Sequence, residues 1–418
     1  DAADLPNFVW LTSEDNSVHF SRIYSEAGIA MPAIEGLAEH GLVFEHAFSN
    51  APVCSVARTT LISGAYAPRI GTQYHRRSKL VPMPDNGKMY PWYLQQAGYY
   101  TSNNSKTDYN VITGEGWNDS SPNAIWRNRK PGQPFLHVQN TAITHESSLH
   151  FSREEMEMTT NKTTSNSVAL FPYFPDTPTF RYTHARYLDN HLHVDNYFAD
   201  YIAMLEQDGV LDDTFIFYFG DHGSGMPRNK RWPFFSGLNV PLIVHLPEKW
   251  KHLASPDFKV GGSSDRRVGF IDLAPTLLSL AGQKPPSHLQ GHAFLGKHQA
   301  PPQEFGYGFR GRMDERYDMV RSVVGKRYVY VRNYMPHKLY GQHVGYMFVT
   351  TTTQVWKRLF DEGKLNEAQS HFWKTKPPEE LYDLDNDPDE VNNLAKSKDH
   401  AEVLKKMRLA HGNHLKNI

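Results

Sequence analysis

The chain has 418 residues, of which 13% are aromatic, and a formal net charge of −1. This length exceeds what one small hydrophobic core needs, and it predicts one large domain together with a smaller one. The balanced charge argues against a general nucleic-acid-binding protein, so any anion site must be a local cluster of basic side chains.

Short apolar runs alternate with segments of helical spacing over the first 281 residues. The apolar runs predict strands at residues 8–11, 43–48, 135–139, 214–219 and 240–244. Helical spacing with suitable start and stop residues predicts helices at residues 32–40, 54–64, 181–209 and 271–281. Buried strands that alternate with helices are typical of an α/β fold with a large, mostly parallel, doubly wound sheet flanked by helices.

The pattern changes after the proline pairs at 285–286 and 301–302. Residues 320–324 and 327–332 predict an antiparallel hairpin, and a helix is expected near the C-terminus, from 399 to 414. The predicted domains are a large α/β domain over residues 1–303 and a smaller α+β domain with an antiparallel sheet over residues 304–418.

Chemically active side chains follow three of the predicted strands. Glu14 and Asp15 come after the first strand, His145 after the strand at 135–139, and Asp221 with His222 after the strand at 214–219. Ligands of doubly wound sheets gather at the carboxyl ends of the strands, so we expect these side chains to meet in one site.

The single cysteine, Cys54, excludes a disulfide within the chain. It stands at the start of a predicted helix, and Arg58 lies one turn further on. A helix N-terminus and a nearby cation favour an ionised or anionic species at such a position. By itself, this segment favours the simpler interpretation of a buried structural thiol.

The sequence around Cys54 resembles the signature of the type I sulfatases, a formylglycine-dependent family of the alkaline-phosphatase superfamily. That signature is C-x-[P/A]-x-R followed by L-x-[T/S]-G, and the matching residues are Cys54, Arg58, Leu61, Ser63 and Gly64. Further segments resemble the same family in the same order: residues 6–15, 217–223, 229–232, 240–244, 271–276 and 380–390. One departure is Val56, which stands where the family usually has proline or alanine.

The resemblance implies two cofactors, a calcium ion and a formylglycine (3-oxoalanine) that a formylglycine-generating maturation enzyme makes from Cys54. It places the metal ligands at Glu14, Asp15, Cys54, Asp221 and His222. The family usually has a pair of aspartates where this chain has Glu14 and Asp15. Several protein carboxylates without a phosphate partner suit calcium better than magnesium, and a zinc site would need more histidine and cysteine ligands.

The same resemblance assigns catalytic roles. Arg58 would hold the modified Cys54, and Asp221 would help to activate the nucleophile. Lys106 and Lys230 would contact the sulfate group, while His145 would protonate the leaving alkoxide, as a histidine near its ordinary pKa can do.

Residues for substrate recognition are predicted only from clusters of cations and aromatics. Most family members have Lys-x-His at the position of Lys106, whereas this chain has Lys106-x-Asp108. The candidate substrate-binding residues are Asp108, His75, Arg76, Arg77, His184, His191, His337 and His343.

The resemblance implies a sulfatase that acts on a sulfated carbohydrate, either an algal polysaccharide of the galactan or ulvan type or a glycosaminoglycan. Two alternatives remain open at this point. One is a phosphodiester or phosphonate hydrolase of the same superfamily, and the other is a non-catalytic sulfoglycan-binding protein in which Cys54 stays a thiol.

The chain starts abruptly just before its first predicted strand. We therefore expect a periplasmic or secreted protein whose signal peptide has been removed. The sequence contains no apolar run long enough to cross a bilayer, and neither a membrane span nor a nucleic-acid partner is expected.

Overall fold

The computed structural model describes residues 4–76, 79–255 and 258–418. Its strands are β1 Asn7–Ser13, β2 Gly41–Phe48, β3 Tyr100–Asn104, β4 Asp119–Ser120, β5 Phe135–Thr141, β6 Thr214–Gly220, β7 Leu242–His245, β8 Gly262–Gly269, β9 Gly306–Arg310, β10 Val320–Val324, β11 Tyr328–Asn333 and β12 Glu379–Asp383. Its α-helices are α1 Pro32–Glu39, α2 Cys54–Ser63, α3 Ala67–Ile70, α4 Tyr90–Gln96, α5 Arg153–Met158, α6 Pro178–Gln207, α7 Phe235–Leu238, α8 Leu273–Leu280, α9 Gly345–Phe348, α10 Thr351–Asp361, α11 Glu367–Ser370 and α12 Ala401–Asn417.

A large sheet occupies the N-terminal part of the described chain, with eight strands in the order β4-β3-β5-β1-β6-β7-β2-β8. The central strands β1, β5 and β6 are parallel, and each of their residues is buried. Continuous apolar runs form such strands because helices cover both faces of a parallel sheet. The predicted α/β fold with a large, mostly parallel sheet is confirmed.

One central strand, β7, runs antiparallel to both of its neighbours, β6 and β2. A buried strand of four residues is apolar whichever way it runs, so composition could not reveal its direction. Strands β3, β4 and β8 were not predicted. The edge strand β8 is polar and half-exposed over most of its length, which removes the apolar signal.

A second, smaller sheet lies in the C-terminal part, with four antiparallel strands in the order β12-β11-β10-β9. Strands β10 and β11 form the predicted hairpin, in which Val324 pairs with Val329. Helix α12 packs on this sheet through Leu404 and Met407. The sheet starts at β9, but the boundary between residues 303 and 304 remains a prediction.

The C-terminal part also packs against the large sheet's helical layer. Trp356 and Phe372 share a buried cluster with Phe180 of α6 and with Trp232. Their rings stack and meet edge to face, with 4.9 Å between the centroids of Trp356 and Phe372. This packing brings residues after 306 close to the carboxyl end of the large sheet.

Candidate active site

The loops after β1, β5 and β6 meet at one end of the large sheet. Backbone hydrogen bonds hold them together: the amide of Glu14 donates to Thr141 over 2.9 Å, and the amide of Asp221 donates to Ser13 over 3.0 Å. The parallel register of the three strands therefore delivers Glu14, Asp15 and Asp221 to the same place, as the sequence predicted.

Cys54 lies at the centre of this place, at the first residue of α2 and fully buried. Its Sγ is 3.3 Å from Nε2 of His222 and 3.8 Å from Oδ1 of Asp15. Helix α2 is buried along its whole length, so the position of Cys54 is set by the core. The cysteine faces a polar cluster, which separates it from an ordinary structural thiol.

The two buried carboxylates beside Cys54, those of Asp15 and Asp221, each pair with a basic side chain. Asp15 Oδ2 accepts from Nζ of Lys230 over 2.7 Å, and Asp221 Oδ2 accepts from Nε of Arg58 over 3.1 Å. Burial raises the pKa of Asp15, but Lys230 and His222 outweigh it and hold that pKa well below its ordinary value. Burial also opposes ionisation of Asp221, whose pKa is nevertheless lowered by His222 and Arg58. Both groups are therefore carboxylates at neutral pH.

The same charges act on the cations and on the thiol. Burial lowers the pKa of Lys230, yet Asp15 and Cys54 raise it well above its ordinary value, so the ammonium persists. Burial raises the pKa of Cys54, but Lys230 reverses this and the pKa falls below its usual range. The site therefore favours negative charge at position 54.

The donor set around Cys54 fits a hard divalent cation. Ligand atoms of Asp15, Cys54, Asp221 and His222 all lie within 4.8 Å of one another, and Glu14, Asp15, Cys54 and His145 form a second such group. Three of these six donors, those of Glu14, Asp15 and Asp221, are carboxylate oxygens, which calcium and magnesium prefer. Burial opposes protonation of His222, but Asp221 and Asp15 raise its pKa to about 10. Because imidazole binds a metal only in its neutral form, a cation here would have to displace that proton.

The predicted residues His145 and Lys106 lie on the outer side of the cluster, next to Glu14. His145 Nε2 lies 3.4 Å from Nζ of Lys230 and 3.8 Å from Oε2 of Glu14. Burial lowers the pKa of His145, but Asp15 raises it above its ordinary value, which favours the protonated form. Lys106 Nζ contacts Oε2 of Glu14 at 3.0 Å and is partly exposed. These groups face the entrance of the site.

The structure places the predicted substrate-binding residues in different surroundings. Asp108 Oδ2 is 3.9 Å from both Nζ of Lys106 and Nε of Arg76, so these residues lie at the entrance. His75 is buried, and its Nδ1 is 2.9 Å from Oγ of Ser55 in α2. Arg77 lies outside the described residues.

Two histidines of α6 are buried, and their contacts point to supporting roles. His191 Nε2 is 3.0 Å from Oδ1 of Asn16, next to Asp15, so it supports the loop after β1. His184 packs against Phe20, with 5.2 Å between ring centroids. A direct contact of His184 or His191 with substrate remains a prediction.

The two predicted substrate-binding histidines of the C-terminal part, His337 and His343, are exposed. His343 stacks on Phe348 with 4.3 Å between ring centroids, in a segment that runs close to His145. No contact joins His337 to the cluster within residues 4–76, 79–255 and 258–418. Their roles in substrate binding also remain predictions.

Several residues of the site were not predicted. Glu146 and Arg231 form a fully buried pair, with Arg231 Nη1 and Nη2 donating to the two carboxylate oxygens over 2.6 and 2.9 Å. Asn140 accepts from Nη1 of Arg58 over 2.8 Å, and the Tyr187 hydroxyl donates to the carbonyl of Asp15. For Glu146 and Arg231, the sequence offered one signal: each directly follows a predicted site residue, His145 and Lys230 respectively.

Comparisons with known proteins agree with this arrangement. The family model described as sulfatase matches residues 6–124 and 119–283. A curated relative, the ulvan-active sulfatase of Formosa agariphila, is 33% identical over 96% of this chain and 73% of its own length.

Solved structures share the fold. A protein described as a 2-O GAG (glycosaminoglycan) sulfatase superposes with a TM-score of 0.73 at 18% identity, covering 99% of this chain and 92% of that one. A phosphonate monoester hydrolase of Agrobacterium radiobacter superposes with a TM-score of 0.70 at 16% identity, covering 99% and 95%. The architecture is therefore common to enzymes that cleave different esters.

Proposed function

Because this chain belongs to the sulfatase family and is a sulfuric ester hydrolase, we propose that its substrate is a sulfated polysaccharide or its oligosaccharides, of the ulvan or glycosaminoglycan type. The carrying observation is the buried cluster of Cys54, Asp15, Asp221 and His222, with Lys230 and Arg58 bound to its carboxylates. The ulvan-active relative supports the carbohydrate class, since its 33% identity extends over almost the whole chain.

We propose that Cys54 is converted to formylglycine and that a calcium ion binds Glu14, Asp15, Asp221, His222 and the modified residue. When present, the cation stabilises negative charge on sulfate oxygens, and hydrated formylglycine supplies the nucleophilic hydroxyl. The oxygen-rich donor set supports this assignment. Val56 in the maturation motif makes conversion the first thing to measure.

The chain's own residues then have separate tasks. Lys230 and Lys106 face the space beside Cys54 and hold the sulfate oxygens, whose charge grows as the ester bond breaks. Arg58 orients residue 54 and Asp221. His145, whose pKa is raised above its ordinary value by Asp15 against the effect of burial, supplies the proton for the leaving oxygen.

Conversion of Cys54 is tested by intact mass. The protein is co-expressed with a formylglycine-generating maturation enzyme, and the expected product has lost one sulfur and two hydrogens and gained one oxygen. Cys54→Ala, expressed in the same way, is the control and should show no such change. An unmodified thiol with retained binding of sulfated sugar would favour the non-catalytic binding protein.

Substrate class is tested with the converted protein. We expect it to release sulfate from ulvan oligosaccharides or glycosaminoglycan oligosaccharides, and to lose this activity on treatment with a chelator and regain it with calcium. Phenyl phosphonate and phosphodiester esters are assayed in parallel, since the fold is shared with a phosphonate hydrolase. Faster cleavage of the phosphonate would overturn the proposal in favour of that alternative.

Export to the periplasm or the medium remains part of the proposal, and fractionation of the native host tests it. Within the part of the chain that the structure describes, no helix combines the length and apolar character that crossing a bilayer requires.

A further inference from the structure

An exposed aromatic ring stands at the entrance of the site, on the short helix α9. Tyr346 is 43% exposed, whereas its neighbours Val344 and Met347 are buried. The amide of Gly345 donates to Oε1 of Glu315 over 2.7 Å, which ties α9 to the β9–β10 connection. The buried neighbours and this hydrogen bond fix the backbone of α9, while much of the Tyr346 side chain stays exposed.

The position of the ring relates it to the reacting groups. Its centroid is 6.3 Å from that of His145, and it meets the ring of His150 edge to face at 4.8 Å. His145 in turn lies 3.4 Å from Lys230 and 3.8 Å from Glu14. Tyr346 therefore borders the proton donor on its solvent side, where the alcohol part of a substrate must lie.

Among the described residues, charged side chains dominate the inner part of the site. Lys230, Lys106, Asp15 and Asp221 all bear charges that act on the sulfate group or its cation. A pyranose presents C–H groups on its faces, and an open aromatic face is the usual protein surface that binds them. Tyr346 supplies such a surface beside His145.

We propose that Tyr346 stacks on the sugar ring that carries the scissile sulfate and holds the leaving oxygen next to His145. The inference rests on the proposed function, because it needs His145 on the leaving-group side. It makes Tyr346 a recognition residue for carbohydrate sulfates as opposed to sulfate esters in general.

The test compares a sugar substrate with a small one. Tyr346→Ala should raise KM for ulvan or glycosaminoglycan oligosaccharides by roughly tenfold, the loss of one aromatic stacking contact. It should raise KM for methyl sulfate far less, because methyl sulfate has no ring to stack. Tyr346→Phe keeps the ring and should behave like the parent protein. Tyr334→Ala is the matched control. Tyr334 directly follows β11 of the small sheet, is 39% exposed, and its hydroxyl contacts His411 of α12 at 2.8 Å.

A binding readout keeps the inference separate from the proposed function. In protein whose Cys54 remains a thiol, calorimetric titration with the same oligosaccharides should show weaker binding for Tyr346→Ala than for Tyr346→Phe. If the parent protein binds the sugars but releases no sulfate after conversion, the proposed function fails while the stacking inference stands. Equal affinity and equal KM for Tyr346→Ala and the parent, or equal losses on the sugar and on methyl sulfate, would overturn the stacking role.

Discussion

Single residues next to the site hold its basic side chains in place, and the clearest case is Glu146. Its side chain binds Arg231 through two hydrogen bonds and lies 4.0 Å from Nζ of Lys230, while its amide donates to Oδ2 of Asp15 over 2.7 Å. Burial raises the pKa of Glu146, but Arg231 and Lys230 bring it below its ordinary value. We expect Glu146 and Arg231 to be positioning residues, since Glu146 contacts Lys230 and Asp15, which lie nearer the proposed sulfate position.

We expect Glu146→Gln to lower both activity and stability. Removing the charge leaves the buried Arg231 paired with the carboxylate of Asp314 alone, and breaking a comparable buried pair costs about 3–5 kcal/mol. It also removes the negative charge 4.0 Å from Nζ of Lys230. The measurements are kcat/KM on 4-nitrophenyl sulfate and the melting temperature.

The matched control for this change is Glu155→Gln, which removes a carboxylate from a pair on the surface. Glu155 contacts Arg186 at 3.1 Å with 44% of its side chain exposed, and exposed pairs contribute at most about 1 kcal/mol. If Glu146→Gln and Glu155→Gln had the same small effect on activity and melting, the positioning role of Glu146 would be wrong.

At the scale of elements, helix α2 presents Cys54 to the site and depends on how it ends. Gly64 follows its last residue with φ of 63°, and its amide donates to Thr60 over 3.0 Å. A Cβ at this position would lie 2.2 Å from Cδ2 of Leu289. Both the left-handed conformation and the close side chain therefore require glycine here.

We expect Gly64→Ala to destabilise the protein by about 1–2 kcal/mol from the left-handed backbone alone, and by more when Leu289 is displaced. Gly36→Ala is the control, because Gly36 lies within α1 and nothing stands within 4 Å of an added Cβ. That change should stabilise by about 0.5–1 kcal/mol, since alanine favours a helix interior. The melting temperatures should therefore move in opposite directions, and equal shifts would contradict this account.

At the scale of the whole molecule, residues that follow the large sheet complete the site. Asp314, in the connection between β9 and β10, accepts from Nε of Arg231 over 3.0 Å, and α9 brings Tyr346 to His145. Arg228 reaches in the other direction and donates to the carbonyls of Asp389 and Glu390. The loop that carries Lys230 is thus held between the two sheets.

The contact around Glu390 predicts how stability depends on pH. Burial raises the pKa of Glu390 to about 8, against the opposing charge of Arg228. The folded protein therefore keeps this proton up to about pH 8, while the unfolded chain releases it near the ordinary value of 4.5. Between those values the native state binds more protons, so this group's stabilisation is lost as pH rises, by up to about 1.4 kcal/mol per pH unit.

Glu390→Gln should remove that dependence, because the amide is neutral at every pH and can still accept from the amide of Phe235, which now bonds Oε1 over 2.5 Å. Melting temperatures of parent and variant, measured from pH 5 to pH 8, should diverge in favour of the variant as pH rises. Other titrating groups are common to both proteins and cancel. Parallel curves would show that Glu390 is ionised in the folded state.

The sequence by itself determined the class of the fold and the core of the site. Continuous apolar runs such as 214–219 identify buried parallel strands, and the residues directly after them reach the site because strand ends meet at one edge. Motif order around Cys54 then indicated Arg58, Lys106 and Lys230, all of which lie beside the carboxylates. The sulfatase family, confirmed by the comparisons, was also accessible from these residues.

Only the tertiary structure decided the direction of short strands, the burial of individual side chains, and the contacts between distant parts of the chain. A short apolar strand is equally apolar in both directions, so β7 could not be oriented from its composition. A histidine in an amphipathic helix has the same spacing whether it faces a cleft or the core, and His184 and His191 proved to be buried. Asp314 and Tyr346 reach the site by packing of the C-terminal part, across sequence separations that no local pattern records.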